Sequence, residues 1–501
     1  MKRLLISLHR YLGAVLCLPF AVWFASGIVM VFVGFPHLDE DRRLRALSDL
    51  VADPSLPTPA EVFARTPVGG RVRLGMLGAR AVYRFVDGTG QAGLVDAKNA
   101  TAAVVLDPTE IARLATAHVV ATDTAALSAL LVDRRDQWTT MVPAASQFPL
   151  SLFDAHDAAG SQVYVSLRTA EVVQVTTRRE RLLAWVGAIP HWIYPIVLRR
   201  HAEVWRFVVI ALAGCGALLC LSGLVIGFWH WRPIGRRFRG TGGVRTASPY
   251  RGTWMRWHHY IGLCFGSLAF TWVGSGALSL NPFQWSTGSS PSPEEEIAFA
   301  GGPLQIESFR VRPGEALGTC RREIRPRELE LVQIGGRPYY LCRQSSRESR
   351  LVAADISRTV AVRFLATETV LAAGASVWSG RPIVDAAVMQ SSDGYFATDD
   401  SGVGSIMRIR VGEKNAIWYY VDLRTGKIVM RLTPSGRLER WLYHGFHSLD
   451  FPFLRPHSAM WYVIIVGLCA VGLFFSVTGV AVTTGWLARV GRRRGSARST
   501  P

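Results

Sequence analysis

The chain has 501 residues, 49% of them hydrophobic, with a positive mean hydropathy and a formal net charge of +19. It is too apolar for an ordinary soluble enzyme. The placement of its charge, set out below, argues against nucleic acid as the partner.

Four stretches carry no charged side chain: residues 11–33, 207–229, 260–281 and 461–486. Each is long enough for a helix crossing ~30 Å of hydrocarbon, which takes about 20 apolar residues. The first is read as a retained anchor rather than a signal peptide, because it lacks a short apolar core followed by an A-x-A site. Arginine sets the orientation. Lys2, Arg3 and Arg10, seven Arg between 230 and 259 and five Arg after 486 supply fifteen of the net charges, with no acid among them. The positive-inside rule puts these segments and both termini in the cytoplasm, and the two long connections outside. The high isoelectric point then reflects topology and contact with membrane lipid, not nucleic acid. "RGTGGVR" (239–245) reads as a flexible basic loop, since no strand precedes it. Cys17, Cys215, Cys220, Cys264 and Cys469 fall in the spans as small apolar side chains. Cys320 and Cys342 lie in the second external segment, where a disulfide is possible; their spacing leaves the pairing open.

The chain repeats itself. "HRYLG" (9–13) returns as "HHYIG" (258–262), and "WFASG" (23–27) as "WVGSG" (272–276), both at an offset of 249. "YVSLRTAEVV" (164–173) returns as "YVDLRTGKIV" (420–429) at an offset of 256, which also matches Trp185 with Trp441, His191 with His447, His201 with His457, Trp205 with Trp461, and the "SG" at 222–223 with the "TG" at 478–479. The expected fold is an α-helical membrane protein with α+β periplasmic domains. Its four transmembrane helices form two parallel repeats of span, external domain and span, related by a pseudo-twofold axis along the membrane normal. The expected boundaries are a first helix over 1–33, an external domain over 34–204, a helix over 205–230, a basic loop over 231–257, a helix over 258–281, a second external domain over 282–458, a helix over 459–487 and a basic tail over 488–501. Within the external segments, 79–87 and 336–344 alternate like strands. The repeated "YV-LRT" motifs read as strand pairs around a turn, and 106–117 and 123–132 as helices. "GTGQAG" (88–93) fits G-x-G-x-x-G, but no helical pattern follows, so Asp87–Gly88 is read as a hairpin turn.

Histidines matched by the repeat are the candidate site. An ionisable residue at membrane depth is costly and marks function by default. His9 and His258 enter spans from the cytoplasmic side, whereas His191 with His447, and His201 with His457, approach spans from outside. Haem b needs two facing axial nitrogens, and a twofold axis supplies such a pair wherever one His points at it. Two pairs at opposite ends would hold two haems, one near each membrane surface. Candidate ligands are therefore His9 and His258 inside, with His259 as an alternate, and His191 and His447 outside, with His201 and His457 as alternates. His230 is read as an interfacial anchor, because its repeat partner is Trp486. Gly13, Gly262, Gly27 and Gly276 would make room for a flat ring or for close helix packing. His444, one turn from His447, could meet a propionate or the substrate, and Asp450 could accept a ligand's ring N–H. No catalytic residue is assigned.

"HRYLG…SGIVM", "WHHYIGL…WVGSGALSLNPF", "PHWIYPIVLRRH" and "HGFHSLDFPFL" resemble the PepSY-associated transmembrane proteins over nearly the whole chain, and the "YV-LRT-G" turn resembles the PepSY repeat. Ala170 departs from that pattern where the turn glycine is expected. The resemblance implies a di-haem inner-membrane reductase of ferric siderophores, releasing iron(II), which suits hard oxygen ligands less well. Its electron donor would be quinol or a cytoplasmic reductase. The alternatives are a non-catalytic PepSY protein that binds or regulates a partner such as a peptidase, and a transporter component; the spans offer no Asp, Glu, Lys or Arg for coupled transport. The orientation is tested by a reporter active only in the cytoplasm, fused after Ser290. It should be silent, and activity there would reverse the topology.

Overall fold

A computed structural model of the chain describes residues 1–66, 68–87, 89–99, 106–119, 128–142, 146–232, 238–239, 245–355, 360–396, 404–414, 416–454 and 458–498. In chain order, the long helix Lys2–Phe32 precedes strands β1 (Val72–Leu77), β2 (Arg80–Val86), β3 (Ala92–Asp96), β4 (Ser128–Val132), β5 (Leu150–Asp154), β6 (Gln162–Ser166) and β7 (Val172–Thr176). The second long helix, Ala202–His230, is followed by the short strands β8 (Phe238–Arg239) and β9 (Arg245–Thr246) and by the third, Thr253–Leu278. Then come β10 (Glu328–Ile334), β11 (Arg337–Arg343), β12 (Ser349–Ala353), β13 (Ala361–Val362), β14 (Ile383–Val388), β15 (Ile406–Val411), β16 (Ile417–Asp422), β17 (Lys427–Leu432) and the last helix, Ser458–Arg498.

The chain divides into two units. A helical unit gathers Met1–Phe35, Glu180–Ser286 and Leu438–Pro501, and contains the four helices long and apolar enough to cross a membrane. The first packs against the second and fourth, and the third also packs against both. Each begins before its charge-free stretch, because Arg, Lys and Leu continue a helix readily. His9 and His258 consequently lie within helices rather than beside them. The centre of this unit is aromatic: Phe24 lies 5.7 Å from Phe265 and 5.8 Å from Trp272 between ring centres. Gly472 lets the fourth helix close on Phe24, since a Cβ there would collide with that ring.

The second unit gathers Pro36–Arg179 and Thr287–Arg437. Where the length of each connection suggests a domain with its own core, the two connections share one sheet. Its seven strands run β13-β12-β11-β10-β1-β2-β3, and β1 from the first connection pairs antiparallel with β10 from the second, Val72 opposite Leu331 and Leu74 opposite Leu329. An unpaired edge on either strand would leave a row of unsatisfied N–H and C=O groups, and the pairing removes both edges at once. One core cluster therefore spans the two connections, with Val72, Leu74 and Tyr83 packed together with Leu329, Leu331 and Tyr340. Cys320 and Cys342, buried in the same cluster, form a disulfide with Cα atoms 6.6 Å apart. Two four-stranded sheets, β4-β5-β6-β7 and β14-β15-β16-β17, complete the unit.

The repeated "YV-LRT" motifs form β6 with β7 and β16 with β17, as the alternation requires. A helix was expected over 123–132; residues 128–132 instead form β4, where Leu130 pairs with Leu152, and 123–127 lie outside the described residues. Cross-strand pairing overrides the helical preference of an Ala- and Leu-rich run. The helix expected over 106–117 spans Pro108–Thr116, started by the Asp107 cap. Residues 87–91 close the β2–β3 hairpin, Asp87 accepting N–H bonds from Thr89 and Gln91; Gly88 lies outside the described residues, as do 240–244 of the basic loop.

Two buried glutamates of the sheet unit are each paired with at least two cations. Glu328, 3% exposed, accepts from Arg43 at 2.8 Å and Arg73 at 3.2 Å, and Glu330 from Arg71 and Lys427 at 2.7 Å each. Burial alone would raise the Glu330 pKa, but the charges and hydrogen bonds of Lys427 and Arg71 outweigh it and bring it to about 2. An unfolded glutamate titrates near ~4.3, so this stabilisation is complete at neutral pH and is lost as pH falls from about 5 toward the folded value. Glu330→Gln should lower the thermal midpoint at pH 7 by the equivalent of about 1–3 kcal/mol. It should also shrink the further loss on acidification, both read by tryptophan fluorescence.

The turn at Ala170 is as sharp as its glycine counterpart. Ala170 holds φ +49° and Gly426 φ +66°, both in the left-handed region that costs a residue with a Cβ roughly 1 kcal/mol. A Cβ on Gly426 would also strike Ile334. Ala170→Gly should therefore be neutral or stabilising in a thermal melt, while Gly426→Ala should destabilise by about 2 kcal/mol or more.

Candidate functional site

Two histidine pairs form in the helical unit, one towards each end of its helices. His9 of the first helix faces His258 of the third with ring centres 6.3 Å apart, and His191 faces His447 at 6.2 Å. Eighteen residues of one helix separate His9 from Gly27, on which His191 rests, which at 1.5 Å per residue is about 27 Å. That rise is close to the ~30 Å hydrocarbon thickness of a bilayer. Phe20, Phe24, Phe265 and Trp272 fill the interval.

Each ring is seated by the same short device. Nδ1 of His9 lies 3.1 Å from the Leu219 carbonyl and 3.2 Å from Ser222 Oγ. Nδ1 of His191 lies 3.1 Å from the Trp23 carbonyl and 3.2 Å from Ser26 Oγ. Nδ1 of His447 lies 3.0 Å from the Trp272 carbonyl and 3.2 Å from Ser275 Oγ. Nδ1 of His258 lies 3.0 Å from Thr478 Oγ1, whose own hydroxyl donates to the Phe475 carbonyl. A carbonyl only accepts, and so does a hydroxyl whose proton is already committed. All four imidazoles therefore carry their proton on Nδ1, leaving the Nε2 lone pair without a hydrogen-bond partner among the described residues. A glycine follows each hydroxyl residue and lets the ring lie against the helix. A Cβ on Gly27 would sit 3.4 Å from His191, on Gly276 3.3 Å from His447, on Gly479 3.6 Å from His258, and on Gly223 only 2.7 Å from His9.

His191 and His447 sit in strained turns. Ile193 and Leu449, two residues after His191 and His447, both hold φ +51°, and φ above zero is an outlier for a β-branched residue. The turn sends the chain back into the next spanning helix. There the Trp205 indole donates to the Trp192 carbonyl and the Trp461 indole to the Ser448 carbonyl, each at 3.0 Å. Sequence matching paired these tryptophans without giving them this role. Likewise, "SG" and "TG" were visible as repeats, but their use as histidine seats depends on which helices pack together.

The His9–His258 pair opens into a cavity of about 530 Å³ in a predominantly apolar wall. Gly13 and Gly262, the matched small residues, line it, together with Arg10 and Arg489. His259 borders the cavity but is not free to be a ligand: Nδ1 lies 2.9 Å from Ser248 Oγ and Nε2 2.9 Å from the Gly227 carbonyl, so both nitrogens are engaged. His230 faces Tyr250, and its Nδ1 bonds the Ile226 carbonyl. Of the outer alternates, His201 is exposed at the start of the second long helix, and His457 lies outside the described residues. Asp450 was expected to accept a ligand's ring N–H. In the fold its side chain lies 3.6 Å from Arg440, and the Nδ1 partners of His447 are Trp272 and Ser275, because the left-handed turn at Leu449 redirects the chain. His444 packs against Tyr443 with the rings tilted by 57°, and the Tyr443 ring also lies 5.4 Å from His447.

The donor set limits what the pairs can hold. Among the described residues there is no group of three or more His, Cys, Asp or Glu placed to bind a metal. Two neutral imidazoles, each with Nδ1–H donated and Nε2 available, are the ligand arrangement that orients a metal-bound histidine. Two imidazoles sharing one metal along an axis, each nitrogen about 2 Å from it, have ring centres about 6 Å apart. Both pairs meet that spacing. Two protein nitrogens per site leave the other coordination positions of a metal to a non-protein group, and the residues present fit haem, whose macrocycle supplies them.

A family model for the PepSY-associated TM region matches residues 6–305, more than half of the chain, including His9, His191 and His258 with the seats of His9, His191 and His447. A search of curated proteins returns no match. The four apolar helices and this match together make the protein a multi-pass membrane protein that belongs to the PepSY-associated TM family.

Proposed function

We propose that the protein is a haem b oxidoreductase of the bacterial inner membrane that reduces a periplasmic iron(III) chelate, such as a ferric siderophore, and releases iron(II). The observation that carries this reading is the geometry of the two pairs, each with ring centres about 6 Å apart and neutral Nε2 atoms available. Bound at each pair, haem would supply a one-electron carrier near each membrane face. His9 and His258 would hold the cytoplasmic-side group and His191 and His447 the outer one, with Arg10 and Arg489 placed to meet acidic substituents at the inner cavity. The Nδ1 bonds make every ligand a stronger base, which favours the oxidised metal and makes the reduced site a better electron donor. The aromatic filling between the pairs excludes water from the interval. Each iron(III) takes one electron, so a quinol losing two electrons and two protons serves two chelates; a cytoplasmic reductase is the other class of donor.

The test is the absorption spectrum of detergent-purified protein before and after dithionite, followed by addition of an iron(III) chelate. Two haems per chain are expected, oxidised again by the chelate. A colourless protein from haem-replete cells would overturn the proposal. His447→Ala and His258→Ala should each lose one haem, while His444→Ala should retain both. Gly223→Ala, whose Cβ intrudes to 2.7 Å from His9, should deplete the inner haem, whereas Gly27→Ala, at 3.4 Å from His191, should leave the outer one largely in place.

A further inference from the structure

The sheet unit carries a basic concavity that the membrane-side chemistry does not use. The loop 321–327 joins the helix Pro313–Cys320 to β10 and lines a cavity of about 620 Å³. Five arginines border it, Arg45, Arg321, Arg322, Arg325 and Arg327, against two carboxylates. Both carboxylates are engaged: Glu323 is held by Arg350 at 2.6 Å, and Glu348 accepts from the Gln344 amide at 2.8 Å. Three of the arginines also have protein partners. Arg45 pairs with Asp41, Arg321 donates to the Leu50 carbonyl, and Arg327 lies 3.5 Å from Asp49. The guanidinium groups of Arg322 and Arg325 have no acidic partner among the described residues, and both side chains are exposed.

The loop that presents them is fixed from beneath. Cys320, at its start, is buried and disulfide-bonded to Cys342 of β11, Ile324 is buried in the same core, and the Arg325 N–H is held by Gln344 Oε1 at 2.6 Å. Packing several like charges on one short loop is unfavourable unless something offsets their repulsion. Here the disulfide and the core anchor the loop, and counter-charges meet Arg45 and Arg327 but not Arg322 or Arg325. Guanidinium forks carried by an anchored loop in a concave wall concentrate positive potential and match the paired oxygens of carboxylates. A volume of this size suits a drug-sized small molecule.

We propose that this cavity binds a polyanionic, oxygen-rich small molecule and that, on the reading of the protein as a chelate reductase, the ligand is the iron(III) chelate in a carboxylate-bearing, anionic form. Arg322 and Arg325 are its principal contacts, and the Cys320–Cys342 disulfide keeps them in place.

The experiment is calorimetric titration of the full-length, detergent-purified protein with gallium(III) citrate, a redox-inert anion with the charge and ligand set of the iron(III) complex. Saturable binding that weakens as salt is raised is expected, and Arg322→Gln/Arg325→Gln should weaken it by about tenfold or more, the equivalent of at least one lost charge-assisted contact. Arg322→Lys/Arg325→Lys, which keeps the charge and loses the fork, should fall between the two. No binding, or equal binding by the wild type and the glutamine variant, would overturn the assignment. Inorganic phosphate binding as tightly as the gallium complex would overturn the chelate as ligand, as would arginine-dependent capture of anionic phospholipid vesicles without gallium citrate binding. Reoxidation of dithionite-reduced protein is measured separately. If it fails while gallium citrate still binds, the reductase reading falls and the anion site stands; if binding fails while reoxidation proceeds, only the site falls.

Discussion

The bond from a histidine Nδ1–H to the helix beside it is the constraint on which the membrane-side architecture depends. A buried imidazole with an unfixed ring could adopt either tautomer and either face. Donation to a carbonyl four residues ahead of a glycine, with a serine hydroxyl alongside, removes that freedom at His9, His191 and His447, and donation to the Thr478 hydroxyl removes it at His258. It also states what the small residues are for. The serine or threonine supplies an acceptor that is still unsaturated inside a helix, and the glycine after it brings the ring within van der Waals reach of the backbone. The seat of His9 lies on the second long helix, that of His191 on the first, that of His258 on the fourth and that of His447 on the third. Ligand orientation and helix assembly are thereby set by the same contacts.

Backbone strain accompanies that orientation at two of the rings. Ile193 and Leu449 occupy the left-handed region at equivalent positions, each in a turn closed by a tryptophan indole from the following helix. A left-handed isoleucine costs free energy that a glycine would not, and it persists because the surrounding packing leaves no alternative. The result holds His191 and His447 at the ends of the helical unit, where a short turn rather than a continuous helix has to present the ring.

The sheet unit addresses a different problem, charge in a low-dielectric interior. Glu328 and Glu330 lie on β10, whose residues are buried throughout, and each is met by at least two cations from separate parts of the chain. Such pairs add little net stability over apolar packing, but breaking one is costly, so they specify register. Arg71 and Arg73 of the first connection meet Glu330 and Glu328 of the second, which fixes how β1 lies along β10.

Much of this was legible in the sequence. Apolar length and the distribution of arginine determined four spans, because lipid tolerates neither charge nor unsatisfied backbone, and that constraint acts locally along the chain. The 249 offset singled out His9 with His258, while the 256 offset fitted both His191 with His447 and His201 with His457, since residues that match in a repeat are brought to matching places. Other features were invisible there. Whether His259 was free could not be read, because Ser248 and Gly227 occupy its nitrogens only after the third helix packs on the second. The assignment of Asp450 failed for a similar reason: one left-handed residue at Leu449 decides where the chain goes next. The merging of two expected domains through β1 and β10, the strand at 128–132 and the Cys320–Cys342 bond likewise depend on partners distant in the chain. Periodicity and charge report what a segment needs; which segment satisfies it is settled only when the backbone hydrogen bonds and the core are shared out in three dimensions.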